Sequence, residues 1–272
     1  MNRDQEPLSA GTTLDRRAFL GAAALGVLGA RASFAQSLAR APNARKMIAI
    51  PGGQLMLGTG AAEVKKLAQD HGVHPSWFAA ETPRLVRVAP FFIDEYPVSN
   101  AEFVAFCTAT DRDWPPFRSV HRSLGKIGRV PVVNVSLADA LAFARWAAAR
   151  LPTEVEWEFA ARGPQGSIYP WGNEWDPGRL NSNDQDLPGG RGLQPVDAYP
   201  TGASVYGVKD LAGNACEWTA SVYRDGPANV VRGGFYLQRA PWCFRAASRL
   251  SSQSRDNRQD YIGFRCARGG AG

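Results

Sequence analysis

The chain has 272 residues, of which 44% are hydrophobic and 10% aromatic, a composition that fits a globular protein of one large or two small domains. Its formal net charge of +6 comes from 31 Lys and Arg residues interleaved with 25 Asp and Glu residues rather than gathered in a run. Because nucleic-acid binding draws on a concentrated basic patch, this pattern argues against a nucleic-acid partner.

Residues 1–35 have the order of an export signal. A polar stretch leads to Arg16 and Arg17, then to an Ala/Gly-rich apolar segment, then to small residues that favour cleavage after Ala35 or after Ala32. The apolar segment is shorter than the roughly 20 residues that span a bilayer, so we expect a cleaved signal peptide and no stable membrane anchor. The paired arginines indicate twin-arginine export to the periplasm, with an ordinary secretory signal as the alternative.

The folded domain is predicted to follow a short tether. Residues 36–46 are polar and basic and predict the tether, and we expect the domain to occupy residues 47–270. Met47–Leu57 contains two apolar runs separated by Pro51-Gly52-Gly53, which predicts two strands joined by a turn. Leu85–Ile93 predicts another strand.

Capping boxes predict three helices. In each box a Ser or Thr is followed at the third position by an acidic residue, so that each side chain satisfies a free backbone N–H at the helix start. The pairs are Ser99 with Glu102, Ser136 with Asp139, and Thr153 with Glu156. Beyond Gly163, turn-forming residues become frequent, and this region is predicted to consist of loops held by cations, packed rings and hydrogen bonds.

Several segments between Met47 and Arg268, taken in order, point to one family. They are Ile50–Gly53, Pro97–Phe103, Pro131–Ser136, Arg150–Arg162, Tyr169–Glu174, Asp210–Trp218, Arg232–Gly234 and Gly263–Cys266. In this order the sequence resembles the formylglycine-generating enzymes, also called sulfatase-modifying factors, over essentially the whole domain. The resemblance implies an α+β fold related to C-type lectins, with few regular elements, long ordered loops and bound calcium.

The implied calcium ligands lie in the loop that runs from Asp210 to Glu217. The resemblance assigns the side chains of these two residues and the backbone oxygens of Gly213 and Ala215, and a second site would draw on Asn181. Hard oxygen ligands of this kind suit calcium, whose role would be structural. The alternative without an ion is that Asp210 caps the next segment and Glu217 pairs with an arginine.

The copper site of the family is incomplete in this chain. Members that make formylglycine hold copper(I) with two cysteines that follow the Arg-Gly-Gly motif, and the resemblance places Cys243 at the second position. Gln238 occupies the first position, and its amide is a poor ligand for copper(I). Phe235 replaces a serine that assists the oxygen chemistry in the family. These changes argue against conventional formylglycine production.

Cys216 stands where the family usually has a tryptophan beside the active groove, so Cys216 and Cys243 are the candidate catalytic residues. Three outcomes stay open for them: a rebuilt two-thiolate metal site with copper, a disulfide, or buried thiols that pack as small apolar groups. Cys266 and Cys107 are left as further thiols. The histidines His71 and His74 lie in a predicted polar loop, where surface positions are favoured over metal binding.

We expect a substrate groove in the second half of the chain. Its residues are Cys216, Trp218, Gln238, Trp242, Cys243 and Arg249. An extended peptide or a small aromatic or thiol compound would bind there, and the protein would be a periplasmic maturation factor acting oxidatively on another protein, peptide or small molecule. The resemblance extends to metalloenzyme accessory and siderophore-maturation proteins. The rivals are a non-catalytic lectin-like binding or assembly factor and a true formylglycine-generating oxidase acting on sulfatases.

Overall fold

The computed structural model describes residues 45–114, 123–184, 192–223 and 226–269, which fall within the unit Ala41–Gly272. The predicted signal peptide and nearly all of the predicted tether lie outside the described residues, as does His121. Within those ranges, no helix has the length and apolar character needed to cross a membrane.

In the described part of the chain, the α-helices all lie before Gly163. They include α1 (Ala61–His71), α2 (Asn100–Ala109), α3 (Leu137–Trp146) and α4 (Glu154–Arg162). Residues 123–127 are also helical. Both hydrogen bonds of the capping box are present at Ser99, Ser136 and Thr153, which confirms the predicted starts of α2, α3 and α4.

Helix α1 corrects the prediction of a polar loop around the histidines. His71 is the last residue of α1, and Gly72 ends the helix in the left-handed conformation at φ 63°. His74 caps the short 3-10 helix Pro75–Phe78, where its Nδ1 accepts a hydrogen bond from Ser76 N at 3.2 Å. Both histidines are exposed.

Nine described strands form three small sheets. The strands are β1 (Met47–Ile50), β2 (Gly53–Leu57), β3 (Arg84–Val88), β4 (Phe91–Asp94), β5 (Cys216–Val222), β6 (Ala228–Arg232), β7 (Arg249–Ser254), β8 (Ile262–Phe264) and β9 (Ala267–Gly269). The sheet orders are β1-β4-β9, β2-β3 and β7-β6-β5-β8. All pairs are antiparallel except β5 with β8, which is parallel.

One of the two strand predictions for the first part of the domain is confirmed and one needs correction. The two runs of Met47–Leu57 are strands, as predicted, and they belong to different sheets because β1 pairs with β4 and β2 pairs with β3. The single strand predicted over Leu85–Ile93 is divided at Ala89 and Pro90 into β3 and β4. Proline has no backbone N–H to donate to a strand ladder, so Pro90 interrupts the run and separates β3 from β4.

Three hydrophobic clusters hold these elements together. The first lies among α2, α3 and the four-stranded sheet and includes Phe103, Phe143 and Phe264. The second joins α4 to β1, β2 and β4 and includes Trp157. The third is small and aromatic, and it belongs to the loop-rich second half.

A buried carboxylate fastens α4 to two sheets. Glu158 Oε1 accepts hydrogen bonds from Gly58 N and from Arg162 Nη1, both at 2.8 Å, and its other oxygen pairs with Arg232. Arg232 is fully buried and also donates to the carbonyl of Ser248 at 2.9 Å. Buried charges are tolerated only when they are paired and hydrogen-bonded, and this network meets that condition.

The region beyond Gly163 is rich in loops, as predicted, and its described residues contain no α-helix. Its 3-10 helices are Pro177–Arg179, Pro200–Gly202 and Pro241–Phe244. Each begins at a proline, whose fixed φ and missing N–H suit the first position of a helix. Polar contacts and packed rings hold the loops of this region beside the ladders of β5 to β9.

Candidate functional site

Cys243 lies in the helical turn Pro241–Phe244, where its N–H donates to Ala240 O at 2.9 Å. It is 8% exposed and belongs to the third hydrophobic cluster, against which the side chains of Trp171, Trp175 and Trp242 pack. Burial raises the pKa of the Cys243 thiol to about 11, although the nearby Arg245 charge acts in the opposite direction. The thiol is therefore protonated at neutral pH.

Cys216 does not share this environment. It is the first residue of β5, is fully buried in the first cluster, and donates its Sγ hydrogen to Tyr261 O at 3.2 Å. Burial, together with the charge of Glu217, raises the pKa of this thiol well above its ordinary value. The expectation that Cys216 lines a groove with Cys243 is thus corrected, because strand pairing directs its side chain into the core.

All four cysteines are free and buried. Cys216 packs in the first cluster and Cys243 in the third, each in the manner of a small apolar group. Cys107 and Cys266 lie in the first cluster with Cys216. Burial raises the pKa of Cys107 to about 12 and that of Cys266 well above its ordinary value.

Gln238, which the resemblance places at a copper-ligand position, has a local structural role. Its side-chain Oε1 accepts a hydrogen bond from Phe235 N at 3.1 Å, and its own N–H donates to Phe235 O at 2.9 Å. Its carbonyl accepts from Asn183 N at 2.7 Å. Phe235 in turn stacks on Tyr261 at 4.1 Å between centroids. The amide therefore closes the turn that leads to Cys243.

Two other predicted groove residues are held in separate environments. Trp218 is fully buried in the first cluster, and its Nε1 donates to Val135 O at 3.0 Å. Arg249 donates to Ala80 O at 2.7 Å and pairs with Glu154 at 2.8 Å. Of the six predicted residues, Trp242 and Cys243 lie together in the third cluster, with Gln238 in the turn before them.

An exposed tryptophan that sequence reasoning missed extends the site. Trp77, in the helical turn Pro75–Phe78, is 62% exposed, and its ring meets that of Trp242 edge to face with centroids 5.1 Å apart. We use the name aromatic surface for Trp77, Trp171, Trp175 and Trp242. Trp77 lies in none of the family segments, and it belongs to no apolar run whose period would indicate a buried face.

The remaining rings anchor the aromatic surface to the core. Tyr169 stacks on Trp171 with centroids 5.3 Å apart and an interplanar angle of 6°. Trp175 stacks on the fully buried Phe244 at 5.6 Å. Such offset and edge contacts are the favourable geometries for aromatic pairs, so the surface is held in place by packing.

The loop proposed to bind calcium has an unusual backbone. Asp210, Gly213 and Asn214 have positive φ values of 53°, 75° and 59°. A Cβ at Gly213 would lie 2.4 Å from Asn181 O, so only glycine fits there. Asp210 Oδ2 is buried with no hydrogen-bond partner, and burial raises the Asp210 pKa to about 7. An unpartnered carboxylate oxygen of this kind is suited to a hard cation.

Glu217, the other side chain expected to bind calcium, is paired with an arginine. Its two oxygens accept hydrogen bonds from Arg265 at 2.7 Å each, and Oε2 also accepts from Trp157 Nε1 at 2.8 Å. Glu217 therefore pairs with an arginine, as the alternative without an ion proposed. Arg265 donates further to Asp210 O at 3.2 Å, which fixes the start of the loop.

The second candidate calcium position also contains unpartnered oxygens. Asn181 Nδ2 donates to Gly192 O at 2.8 Å and to Asn214 Oδ1 at 3.1 Å, whereas Asn181 Oδ1 and Ser182 Oγ are buried without partners. No group of three or more His, Cys, Asp or Glu side chains among the described residues is arranged to hold a metal ion. A cation here would therefore depend on amide, hydroxyl and carbonyl oxygens.

Residues 33–269 match the family domain described as "Sulfatase-modifying factor enzyme 1-like domain". Over 82% of its length the chain is 34% identical to "Inactive C-alpha-formylglycine-generating enzyme 2" of Bos taurus, of which it covers 88%. It is 33% identical to "Formylglycine-generating enzyme" of Streptomyces coelicolor, with 84% of this chain and 91% of that protein covered. The chain therefore belongs to the sulfatase-modifying factor family of formylglycine-generating enzymes and their relatives.

A solved structure supports the same fold. PvdO from Pseudomonas aeruginosa superimposes with a TM-score of 0.63 at 25% identity, covering 82% of this chain and 93% of that one. The chain thus has the α+β fold of this family, with modest helical content and small sheets, which confirms the fold predicted from the sequence.

Proposed function

We propose that this protein is a maturation factor that binds its substrate over the aromatic surface beside Cys243, without a two-thiolate copper centre. The observation that carries the proposal is the separation of the two candidate thiols: Cys243 lies among the tryptophans of the third cluster, whereas Cys216 is hydrogen-bonded inside the first. Gln238 is committed to closing a turn and supplies no second thiolate.

The relatives support a role of this kind. One carries the name "Inactive C-alpha-formylglycine-generating enzyme 2", which agrees with a domain that keeps the fold while losing the standard catalytic pair. The proposal retains the oxidative maturation that the family suggests, and its substrate is part of another exported protein, a peptide or a small molecule. Export by the twin-arginine route to the periplasm, inferred from residues 1–35, belongs to the same proposal.

The test is complementation of a deletion strain with single cysteine variants. Exported proteins and small molecules of the two strains are compared to find a product that stays immature without the protein. Cys243→Ser should fail to restore that product, whereas Cys216→Ser should restore it because its thiol is not at the site. Restoration by Cys243→Ser with failure of an equally stable Cys216→Ser would contradict the proposal.

Copper(I) titration tests the absence of a two-thiolate centre. Protein purified from the exported fraction should bind no stoichiometric copper(I) that depends on both thiols, since the two thiols lie in separate clusters. Stoichiometric copper that is lost in both Cys216→Ser and Cys243→Ser would establish a rebuilt oxidase site instead. Aldehyde formation on a Cys-x-Pro-x-Arg peptide would then show true formylglycine-generating activity.

A non-catalytic binding or assembly factor is the second candidate. The protonated state of Cys243 favours it, because a thiol whose pKa is raised to about 11 is a weak nucleophile and a weak metal ligand at neutral pH. In that case Trp242→Ala would abolish restoration of the product while Cys243→Ser would leave it intact.

We also propose a structural calcium ion held by Asp210 and the neighbouring backbone oxygens of Gly213 and Ala215. The unpartnered Asp210 Oδ2 is the observation that supports it. Elemental analysis should find calcium, and a chelator should lower the melting temperature, because a ligand that binds the folded state stabilises it by mass action. Asp210→Ala should have a lower melting temperature that the chelator no longer changes. A wild-type protein that is free of calcium and insensitive to the chelator would favour the loop without an ion.

A further inference from the structure

Trp77 and Trp242 form a corner of two nearly perpendicular indole rings. The rings meet at an interplanar angle of 85° with centroids 5.1 Å apart. Phe78, which is 3% exposed, also meets Trp242 edge to face, with centroids 5.9 Å apart and an interplanar angle of 79°. Trp242 is therefore fixed by two rings, while Trp77 leaves 62% of its surface in solvent. It is unusual for a folded protein to leave so large an apolar side chain exposed to water.

The corner is built by two distant parts of the chain. Trp77 and Phe78 come from the helical turn that follows α1, and Trp242 comes from the turn Pro241–Phe244 that carries Cys243. His74 fixes the first of these turns because its Nδ1 accepts the hydrogen bond from Ser76 N. The corner thus lies next to the candidate thiol, and the segment from α1 to Phe78 contributes one of its walls.

The charged side chains next to Phe78 restrict the class of ligand that the corner can bind. The Arg245 guanidinium lies 5.0 Å from the centroid of the Phe78 ring. Glu81 accepts two hydrogen bonds from Arg245 Nη2, at 2.8 and 2.9 Å, and Thr59 Oγ1 accepts one from Arg245 Nη1 at 2.9 Å. Glu81 neutralises the Arg245 charge, and Glu63 Oε1 lies 3.9 Å from Arg245 Nη1. Arg245 therefore supplies no unpaired cation to attract an anionic ligand, and the corner offers a ligand the faces and edges of its two indoles.

We propose that the Trp77–Trp242 corner is the receptor for a neutral aromatic ring of the substrate, and that Trp77 is a specificity-determining residue. A flat ring in the corner stacks on one indole and meets the other edge to face, which are the two favourable arrangements of aromatic pairs. This inference rests on the proposed function, since it assigns the substrate class for the same surface beside Cys243.

Calorimetric titration of the full domain with N-acetyl-tyrosinamide and N-acetyl-tryptophanamide tests the receptor. Both should bind, and Trp77→Ala should weaken binding by about three- to tenfold because one of the two walls is lost. Trp77→Phe should keep most of the affinity. Phe92→Ala is the matched control, because Phe92 is also exposed, at 50%, but lies on β4. It should leave the affinity unchanged.

Further probes separate the ligand classes and the two proposals. Choline or a methyl glycoside that binds more tightly than the aromatic amides, with loss in Trp77→Ala, would overturn the assignment of a neutral ring. Aromatic ligands that bind wild type and Trp77→Ala with equal affinity would overturn the assignment of the receptor. Complementation with Cys243→Ser tests the maturation function independently of that result. Binding of the amides should persist in Cys243→Ser, since the ring contacts do not need the thiol.

Discussion

Single residues in this protein adopt backbone conformations that their side chains disfavour. Ala148 is the clearest case, with φ of 50° just beyond the end of α3, where its N–H donates to Arg145 O at 3.1 Å. The left-handed conformation costs an L-residue roughly 1–2 kcal/mol, and helices commonly place glycine at this position. The side chain is exposed, so a glycine there would remove strain without leaving a cavity.

Ala148→Gly is therefore expected to raise the free energy of unfolding by about 0.5–1 kcal/mol, since the relief of strain exceeds the entropy that glycine adds to the unfolded chain. Urea denaturation followed by circular dichroism measures the change. Ala142→Gly, inside α3, is the control and should lower the free energy of unfolding by about 1 kcal/mol. A loss of stability in both variants would show that Ala148 carries no strain.

The helix starts that can be predicted from the sequence are those with a capping box. At Ser136, the backbone N–H donates to Asp139 Oδ2 at 2.9 Å, and Ser136 Oγ accepts from Asp139 N at 3.2 Å. Helix α1 has no such signal, because Gly60 provides no side-chain cap and none of the helix residues is buried. Local hydrogen bonds can be inferred from spacing, whereas an uncapped surface helix leaves no comparable pattern.

Ser136→Ala is expected to lower the free energy of unfolding by about 1 kcal/mol, because Asp139 N loses its acceptor at the start of α3. Ser136→Thr should keep most of the stability, since its hydroxyl can accept the same bond. Thermal denaturation of the three proteins at equal concentration checks the order. Equal melting temperatures for Ser136→Ala and Ser136→Thr would mean that packing alone fixes the start of α3.

At the scale of the whole molecule, the sequence predicted the fold through its ordered family segments but could not place side chains that depend on distant partners. Cys216 and Cys243 are both near family motifs, yet pairing of β5 with β8 buries the first and the turn Pro241–Phe244 holds the second among tryptophans. Trp77 reaches Trp242 across a long stretch of chain. Such contacts arise from tertiary packing and have no local periodicity.

Glu158 ties the molecule together across α4, β2 and β6, so its removal should affect global stability. Glu158→Gln would leave the fully buried Arg232 without its carboxylate, and the free energy of unfolding should fall by about 3–5 kcal/mol. Asp70→Asn is the control, because Asp70 pairs with Lys66 at the surface of α1 and should contribute less than about 1 kcal/mol. Denaturant midpoints that shift equally in both variants would contradict this assignment.

Acid stability should depend on Glu95, which joins the start of the domain to the loop before Asp210. Its carboxylate pairs with Lys46 at 3.0 Å and with Lys209 at 3.1 Å. Burial alone would raise the Glu95 pKa, but the hydrogen bonds and charges of the two lysines hold it below its ordinary value. A lowered pKa in the folded state stabilises the protein above the unfolded pKa of about 4.3, and this contribution is lost as the pH falls through the folded pKa.

The difference in unfolding free energy between wild type and Glu95→Gln should therefore be constant from neutral pH to about pH 5 and then shrink on further acidification. In a Lys209→Gln background the pH-dependent part of this difference should be smaller, because one of the two charges that lower the Glu95 pKa is gone. Denaturant titrations across this pH range measure both differences. A difference that grows as the pH falls would mean that the folded protein raises the Glu95 pKa, so that burial outweighs both lysines.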